Sequence, residues 1–246
     1  MLNILVTGFR GRMGQSVATA IGEDSDVRVA AGIDMGDSLE DALRKSEIVI
    51  DFTLPTFTTE LVEGCVAASV PLVMGTTGHD AAQLDLIRRA SEVIPIVHAP
   101  NFSVGVNTLF WLTRRTTEIL GEDFDLEVVE MHHRHKVDSP SGTARRLVEI
   151  LTEVRNLSYE KDCRHGRFGE VGPRTDKEIG VHALRGGDVV GDHTVVFAGN
   201  GERVELTHKA SSRLTFAKGA VRAAKWVRSE GLKNGLFDMQ DVLGLK

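Results

Sequence analysis

The fold class follows from one stretch, Leu2-Asn3-Ile4-Leu5-Val6-Thr7-Gly8-Phe9-Arg10-Gly11-Arg12-Met13-Gly14. Its first six residues are mostly apolar and predict a buried strand. The glycines that follow have G-x-x-G-x-x-G spacing and lead into a predicted helix over residues 12–21. Such glycines allow a tight turn and let the backbone approach a pyrophosphate, which then lies at the helix N-terminus. A glycine turn that only packs helix against strand is the alternative interpretation.

Strand-like and helix-like segments alternate through the first hundred residues. This alternation predicts parallel crossovers, and therefore an α/β domain with a Rossmann-like, doubly wound parallel sheet. The predicted strands cover 2–7, 27–33, 48–52, 71–74 and 94–98, and the later helices begin at Pro55 and cover 80–90.

The remainder of the chain has a different pattern. Helices are predicted at 106–120, from Pro140 to Leu151 and at 216–227, and strands at 125–132, 181–185, 189–198 and 203–208. Asn200-Gly201 between the last two strands is typical of a hairpin turn. Residues 155–176 are charged and predict an exposed loop. We therefore expect a second α+β domain with a mixed sheet.

Composition excludes several classes of protein. The chain has 246 residues, with 35 acids against 29 bases, and this net charge of −6 argues against a nucleic-acid binder. No apolar run reaches the ~20 residues of a membrane helix, and the strand-like start predicts no leader. Two cysteines, Cys65 and Cys163, form neither a disulfide framework nor a C-x-x-C pair. We expect a cytoplasmic protein.

Asp34 ends the second predicted strand and bears on the choice of cofactor. An acid roughly 20 residues or more beyond the glycine loop can bind the ribose hydroxyls of an adenosine. Asp34 would repel a 2′-phosphate, and Met35 offers no compensating cation, although Arg10 and Arg12 could neutralise one. We expect NADH to be preferred and NADPH to be accepted.

Two further loops follow predicted strands, where ligands bind in open α/β sheets. They are Gly75-Thr76-Thr77-Gly78 and Ala99-Pro100-Asn101-Phe102. Threonine hydroxyls and backbone amides there could hold the nicotinamide end of a dinucleotide, although ordinary strand-to-helix turns explain the same residues.

The most informative stretch is Glu130-Met131-His132-His133-Arg134-His135-Lys136-Val137-Asp138-Ser139-Pro140-Ser141-Gly142-Thr143-Ala144. It places three histidines and two other basic residues just before a predicted helix start. The amides of that start attract a carboxylate or phosphate. In an acidic chain, this basic region indicates a small anionic ligand, with histidine and lysine available for proton transfer.

Two alternatives compete for this stretch. A zinc site is disfavoured because adjacent residues of a strand, such as His132 and His133, face opposite sides, and because no H-E-x-x-H or cysteine pair is present. We therefore predict no metal. A solvated basic loop without a ligand remains the other alternative.

Six motifs in order resemble the 4-hydroxy-tetrahydrodipicolinate reductase family, which acts in the diaminopimelate route to lysine. They are the glycine loop, GTTG (75–78), APNFSVGVN (99–107), EMHHRHKVDSPSGTA (130–144), ASSRLTFAKGAVRAA (210–224) and GLFDMQDVL (235–243). The resemblance covers nearly the whole chain and is weakest over residues 155–176.

The resemblance implies a dinucleotide-binding domain made of residues 1–103 and 213–246. Residues 104–212 would bind a small dicarboxylate and assemble a homotetramer. His132 would donate and accept a proton, Lys136 would be a second proton donor, and His133, Gly142 and Thr143 would hold the substrate carboxylates. The cofactor would contact Gly8, Phe9, Arg10, Gly11, Arg12, Met13, Asp34, Gly75, Thr76, Thr77, Ala99, Pro100, Asn101 and Phe102. Many relatives have an arginine at the position of Met35. Because this chain lacks that cation, the resemblance does not imply a strong NADPH preference.

Two other functions are consistent with the glycine loop alone. A dehydrogenase of another amino acid or aldehyde would share the loop but would not need the basic stretch. A nucleotide-sensing regulator would bring a basic helix-turn-helix, which the sequence lacks.

Overall fold

The computed structural model describes all 246 residues, which form two compact units. The first unit comprises Met1–Val104 and Arg213–Lys246, and the second comprises Gly105–Ser212. None of the helices combines the length and hydrophobicity that crossing a membrane requires.

Eleven strands and nine α-helices make up the two units. In chain order they are β1 (Leu2–Thr7), α1 (Arg12–Gly22), β2 (Val27–Ile33), α2 (Leu39–Leu43), β3 (Ile48–Asp51), α3 (Thr58–Ala68), β4 (Leu72–Met74), α4 (Ala81–Ser91), β5 (Pro95–His98), α5 (Val104–Leu120), β6 (Asp125–His132), α6 (Gly142–Arg155), α7 (Tyr159–Asp162), β7 (Cys163–His165), β8 (Ile179–Arg185), β9 (Gly191–Gly199), β10 (Glu202–Ala210), α8 (Leu214–Ser229), β11 (Gly235–Phe237) and α9 (Met239–Leu243).

The first unit contains a six-stranded parallel sheet in the order β11-β5-β4-β3-β1-β2. Strand residues alternate between two cores, because successive side chains point to opposite faces. Ile48 and Ile50 pack with α1 and α8 on one face, whereas Val49 packs with α3 and α4 on the other. Both faces are therefore covered, which confirms the predicted doubly wound, Rossmann-like sheet.

The second unit contains a mixed sheet in the order β10-β9-β6-β8-β7. β6 pairs antiparallel with β9 and parallel with β8. One face packs against α5 and α6, with Val128, Val195 and Leu147 in the core between them. The predicted hairpin is present, since β9 and β10 are joined at Asn200-Gly201 and Gly201 has a φ of +89°.

Some local predictions are wrong. The segment 155–176 contains α7, capped by the Ser158 side chain, and β7, which pairs with β8. Pro55 opens a 3₁₀ turn over Pro55–Phe57, and α3 begins only after it. Pro140 lies outside α6, because the Ser141 hydroxyl accepts the Ala144 N–H and so caps that helix. The short elements α2, β11 and α9 were not predicted.

Candidate active site

The glycine loop joins β1 to α1 in the first unit. Gly8 has a φ of +60°, a conformation that side chains disfavour, and a side chain at Gly14 would collide with the carbonyl oxygens of Gly8 and Phe9. No side chain caps α1 at Gly11, and no acidic residue lies in its first turn. The amides of that turn therefore suit a pyrophosphate.

A pocket of about 540 Å³ opens beside the glycine loop. Residues that line it include Thr7, Gly8, Gly11, Asp34, Phe52 and Thr53. The Asp34 carboxylate accepts the backbone N–H of Arg10 at 3.1 Å, and Arg10 Nε lies 3.7 Å from it. Met35 beside it is fully exposed. An acid at the end of β2, facing a pocket of this size, suits the ribose of an adenosine.

The two further predicted loops follow β4 and β5. In the first, Thr76 is buried and its hydroxyl donates to Asp51 Oδ2 at 2.6 Å, whereas Thr77 is exposed. In the second, the side chains of Ala99 and Phe102 are buried in the core. Asn101 Oδ1 accepts the Ser103 N–H at 2.8 Å. Contacts to a ligand from the buried positions would therefore come from the backbone.

The basic stretch begins at the end of β6 in the second unit. Glu130 and His132 are two residues apart and project from the same buried face of the strand. His132 Nδ1–H donates to Glu130 Oε2 at 2.6 Å. Arg185 on β8 donates from Nη1 and Nη2 to the two Glu130 oxygens, at 2.8 Å each, and the Ser141 N–H donates to Oε1 at 3.0 Å.

This network determines which nitrogen of His132 can react. Because Nδ1 is bound to Glu130, Nε2 is left for a ligand. Burial lowers the pKa of His132, and the hydrogen bond with Glu130 opposes that change. Burial alone would raise the pKa of Glu130, but hydrogen bonds from Arg185, His132 and Ser141 outweigh it and keep the pKa below its usual value. His132 can therefore accept a proton at Nε2, and the Glu130 carboxylate would stabilise the imidazolium.

A second buried histidine lies against His132. The ring of His193 on β9 meets the His132 ring edge to face, with centroids 5.1 Å apart. His193 Nε2 lies 3.0 Å from Ser141 Oγ. Burial, assisted by the neighbouring His132, lowers the pKa of His193 to about 3. His193 is therefore uncharged at neutral pH and supports both His132 and the helix cap.

The start of α6 lies directly beyond this network. Its first turn contains no acidic residue, and the space around Gly142 is open, with no atom within 4 Å of where a side chain would begin. Thr143 follows, half-buried. An uncrowded helix N-terminus without acidic residues can accept a carboxylate.

Lys136 and His133 flank His132. Lys136 Nζ lies 2.8 Å from Asp138 Oδ1, and its positive charge is one of the influences that lower the pKa of His132. The Asp138 carbonyl oxygen accepts a hydrogen bond from Arg185 Nη2 at 2.8 Å, which ties this turn to the Glu130 network. His133 is half-buried, and its Nδ1 has no hydrogen-bond partner. No group of three or more potential ligands is arranged to hold a metal ion.

Several residues of these networks were not singled out from the sequence. Glu130 could have been, because it lies two residues before His132 in a strand and so shares its face. Arg185 and His193 could not, because their proximity depends on strand pairing, with His132 opposite Arg185 and Glu130 opposite His193. Asp51 was likewise missed.

Comparisons with known proteins cover the whole chain. A family profile described as dihydrodipicolinate reductase, N-terminus, matches residues 2–102, and its C-terminus counterpart matches residues 105–243. The chain is 56% identical over 245 residues to a 4-hydroxy-tetrahydrodipicolinate reductase of Akkermansia muciniphila, covering 100% of this chain and 99% of the relative. A reductase of the same name from Nitrosomonas europaea is 45% identical, with 100% and 99% coverage.

Solved structures show the same fold. A dipicolinate-bound dihydrodipicolinate reductase from Paenisporosarcina sp. TG-14 superposes with a TM-score of 0.78, at 24% identity and 98% coverage of both chains. A probable dehydrogenase from Thermotoga maritima gives a TM-score of 0.63 at 12% identity, covering 99% of this chain and 93% of the other.

Proposed function

The chain belongs to the dihydrodipicolinate reductase family, and from this membership we propose that it reduces 4-hydroxy-tetrahydrodipicolinate, by way of dihydrodipicolinate, to tetrahydrodipicolinate with NAD(P)H. This reaction belongs to the diaminopimelate route to lysine. The observation that supports it best is the Glu130-bound His132 beside the open start of α6. A proton donor and an anion-binding helix end suit a dicarboxylate that takes up a proton when NAD(P)H supplies the hydride.

The first unit would bind the dinucleotide, which supplies the hydride. The backbone of Gly8–Met13 would hold the pyrophosphate, and Asp34 would bind the adenosine ribose. Residues 75–77 and 99–102 would border the nicotinamide. The glycine positions, the uncapped α1 and the adjoining pocket support this assignment.

The second unit would bind the cyclic dicarboxylate. The amides at Gly142 and Thr143 would hold one carboxylate at the positive end of α6, helped by His133. In the relative from Paenisporosarcina, the bound molecule is dipicolinate, a planar dicarboxylate of this class. We extend that ligand class to this chain.

Proton transfer would fall to His132 and Lys136. Reduction of the conjugated ring leaves negative charge toward its nitrogen, and a nearby ammonium group stabilises that charge. Lys136, held by Asp138, would supply this cation or a proton. His132 would give and take a proton at Nε2, while Glu130 stabilises the imidazolium form.

NADH would be preferred to NADPH, because the carboxylate of Asp34 would repel a 2′-phosphate and the exposed Met35 cannot attract one. Arg10 lies against Asp34 and could neutralise a 2′-phosphate, so NADPH would still bind, although more weakly than NADH. The ratio of kcat/KM values for the two cofactors measures this preference, and a large NADPH advantage would contradict it.

Assembly and location complete the proposal. The sheet of the second unit has one face without helices, and that face carries the apolar side chains of Val129, Met131, Leu184 and Val196 beside the charged Glu127 and Glu205. We propose that copies of the chain pair through this face and form a homotetramer. Both cysteines are free thiols, which supports a cytoplasmic location.

The proposed reaction is tested by following NADH absorbance with freshly prepared substrate. His132→Gln and Lys136→Ala should lower kcat by roughly 10²–10⁴-fold, the usual contribution of a positioned proton donor. The Kd of NADH, measured by fluorescence without substrate, should stay unchanged. His165→Gln, at an exposed site on β7, is the control and should keep normal turnover. Near-normal kcat in both test variants would refute the catalytic assignment.

A further inference from the structure

Asp51 is the last residue of β3, at the point where the order of the first sheet reverses. β2 and β3 lie on opposite sides of β1, so the carboxyl ends of β1 and β3 border the crevice where ligands bind in sheets of this kind. Asp51 is nevertheless buried, with a residue exposure of 1%. Its carboxylate faces other side chains of the same unit.

Three threonine hydroxyls converge on this carboxylate, each at 2.6 Å. Thr7 and Thr53 donate to Oδ1, and Thr76 donates to Oδ2. The Thr53 backbone N–H also points to Oδ1, at 3.3 Å. A carboxylate has acceptor sites for all of these donors, whereas an amide of the same size has acceptor sites on only one of its two terminal atoms.

Each threonine belongs to a segment that borders the proposed dinucleotide site. Thr7 directly precedes Gly8, and the Thr53 methyl group lies 3.1 Å from the position that a side chain at Gly8 would occupy. Thr76 follows Gly75, whose N–H donates to the Asp51 carbonyl oxygen at 2.8 Å. Asp51 therefore joins the segments after β1, β3 and β4.

We propose that Asp51 is a positioning residue for the dinucleotide, one that fixes three loops relative to one another without touching the ligand. This inference rests on the proposed dinucleotide site. Buried hydrogen bonds hold loops in place before binding, and a site ordered in advance loses less entropy when its ligand binds. Loss of these bonds should therefore weaken cofactor binding more than it slows the reaction of bound cofactor.

Asp51→Asn is the first test. Its amide nitrogen donates instead of accepting, so the Thr76 hydroxyl must reverse its role and accept, and all three hydroxyls lose the charge of their carboxylate partner. The Kd of NADH, measured by fluorescence without substrate, should rise about tenfold, because hydrogen bonds to a charged acceptor are roughly twice as strong as neutral ones. At saturating NADH, kcat should change less than about threefold, and the KM of the dicarboxylate should stay the same.

Matched threonine variants separate positioning from stability, and they decide the question if Asp51→Asn does not fold. Thr53→Val and Thr76→Val remove one hydroxyl each and should raise the Kd, whereas Thr53→Ser and Thr76→Ser should keep it near the wild-type value. The control is Thr117→Val in α5, which removes a buried hydroxyl that donates to the Thr113 carbonyl oxygen at 2.6 Å. It should leave the Kd unchanged, because Thr117 lies in the second unit.

The outcomes are distinct from those that test the reaction. If the Asp51 and threonine variants lower the Tm but leave the Kd unchanged, Asp51 only stabilises the fold and the inference is overturned. Wild-type protein that binds no dinucleotide overturns it as well. Wild-type protein that binds NADH but does not reduce the dicarboxylate refutes the proposed reaction, while a raised Kd in Asp51→Asn would still support the positioning role.

Discussion

His132 can act through only one of its ring nitrogens, because Glu130 binds the other. The Glu130 carboxylate is in turn held by Arg185 and by the Ser141 amide, so the ring orientation is set by two strands and the start of a helix. A histidine fixed in this way presents Nε2 in a constant direction. Catalysis at this site would then depend on the space around that single atom.

Gly191 on β9 provides part of that space. A methyl group at this position would lie 3.0 Å from His132 Nε2, which is closer than ordinary van der Waals contact. We expect Gly191→Ala to displace the ring or cover Nε2 and to lower kcat by about tenfold or more. Steady-state kinetics at saturating NADH would measure the change.

The matched control is Gly22→Ala at the end of α1, where a side chain would meet nothing within 4 Å. This variant should keep normal turnover. Gly191→Ala should also retain the wild-type Kd for NADH. Unchanged kcat in Gly191→Ala would show that Nε2 is not the reacting atom.

A functional residue can be predicted from the sequence when its neighbours along the chain identify it, but not when only its neighbours in the folded structure do. His132 and Lys136 could be selected because the sequence itself groups basic residues before a helix. The buried partners could not, since Asp51 collects hydroxyls from three separate segments and Arg185 reaches Glu130 only through strand pairing. The pattern of residues along the chain does not show which residues of two paired strands lie opposite each other.

At the level of elements, long periodic segments were predicted well. β1, β2 and β6 have the predicted bounds, because their apolar runs are bordered by glycine or polar residues. Short elements were missed, since α2 and β11 contain too few residues to show a period. β7 lies in a charged segment and forms only through its pairing with β8.

Strand β9 determines the behaviour of His193. Its alternation places His193 on the buried face, opposite Glu130, and burial lowers the pKa of His193 to about 3. In the unfolded chain this imidazole has a pKa near 6.5. Between these values the unfolded state binds one more proton, so the free energy of unfolding decreases as the pH falls through this range.

We therefore expect His193→Gln to flatten the pH dependence of stability. Removal of one such group should reduce the slope by about 1.4 kcal/mol per pH unit between pH 6 and pH 4. Urea unfolding at a series of pH values measures the slope for each protein. The exposed His165→Gln should keep the wild-type slope, and an equal slope in His193→Gln would show that His193 is protonated in the folded protein.

At the scale of the whole molecule, the chain forms one unit from its two ends and another from its middle. The first unit is complete only when α8 and β11 return to it, with α8 packing on α1 and β11 pairing with β5. The change from parallel to mixed strand pattern predicted two domains. The return of the C-terminal segment came from the family resemblance, because nothing in its own sequence pattern indicates where it packs.

The helix-free face of the second sheet provides the last prediction. Leu184 is 46% exposed on this face, and Met131 lies opposite it on β6. If copies of the chain pair through this face, Leu184→Lys would bury a charge beside an apolar side chain, where the charge loses its hydration. We expect the wild-type protein to be a tetramer and Leu184→Lys to give smaller species in sedimentation velocity. Ile119→Lys is the control, because Ile119 is also apolar and is 79% exposed on α5. It should remain tetrameric, since a lysine there stays in water. A tetramer that survives Leu184→Lys would place the interface elsewhere, and a monomeric wild-type protein would contradict the proposed assembly.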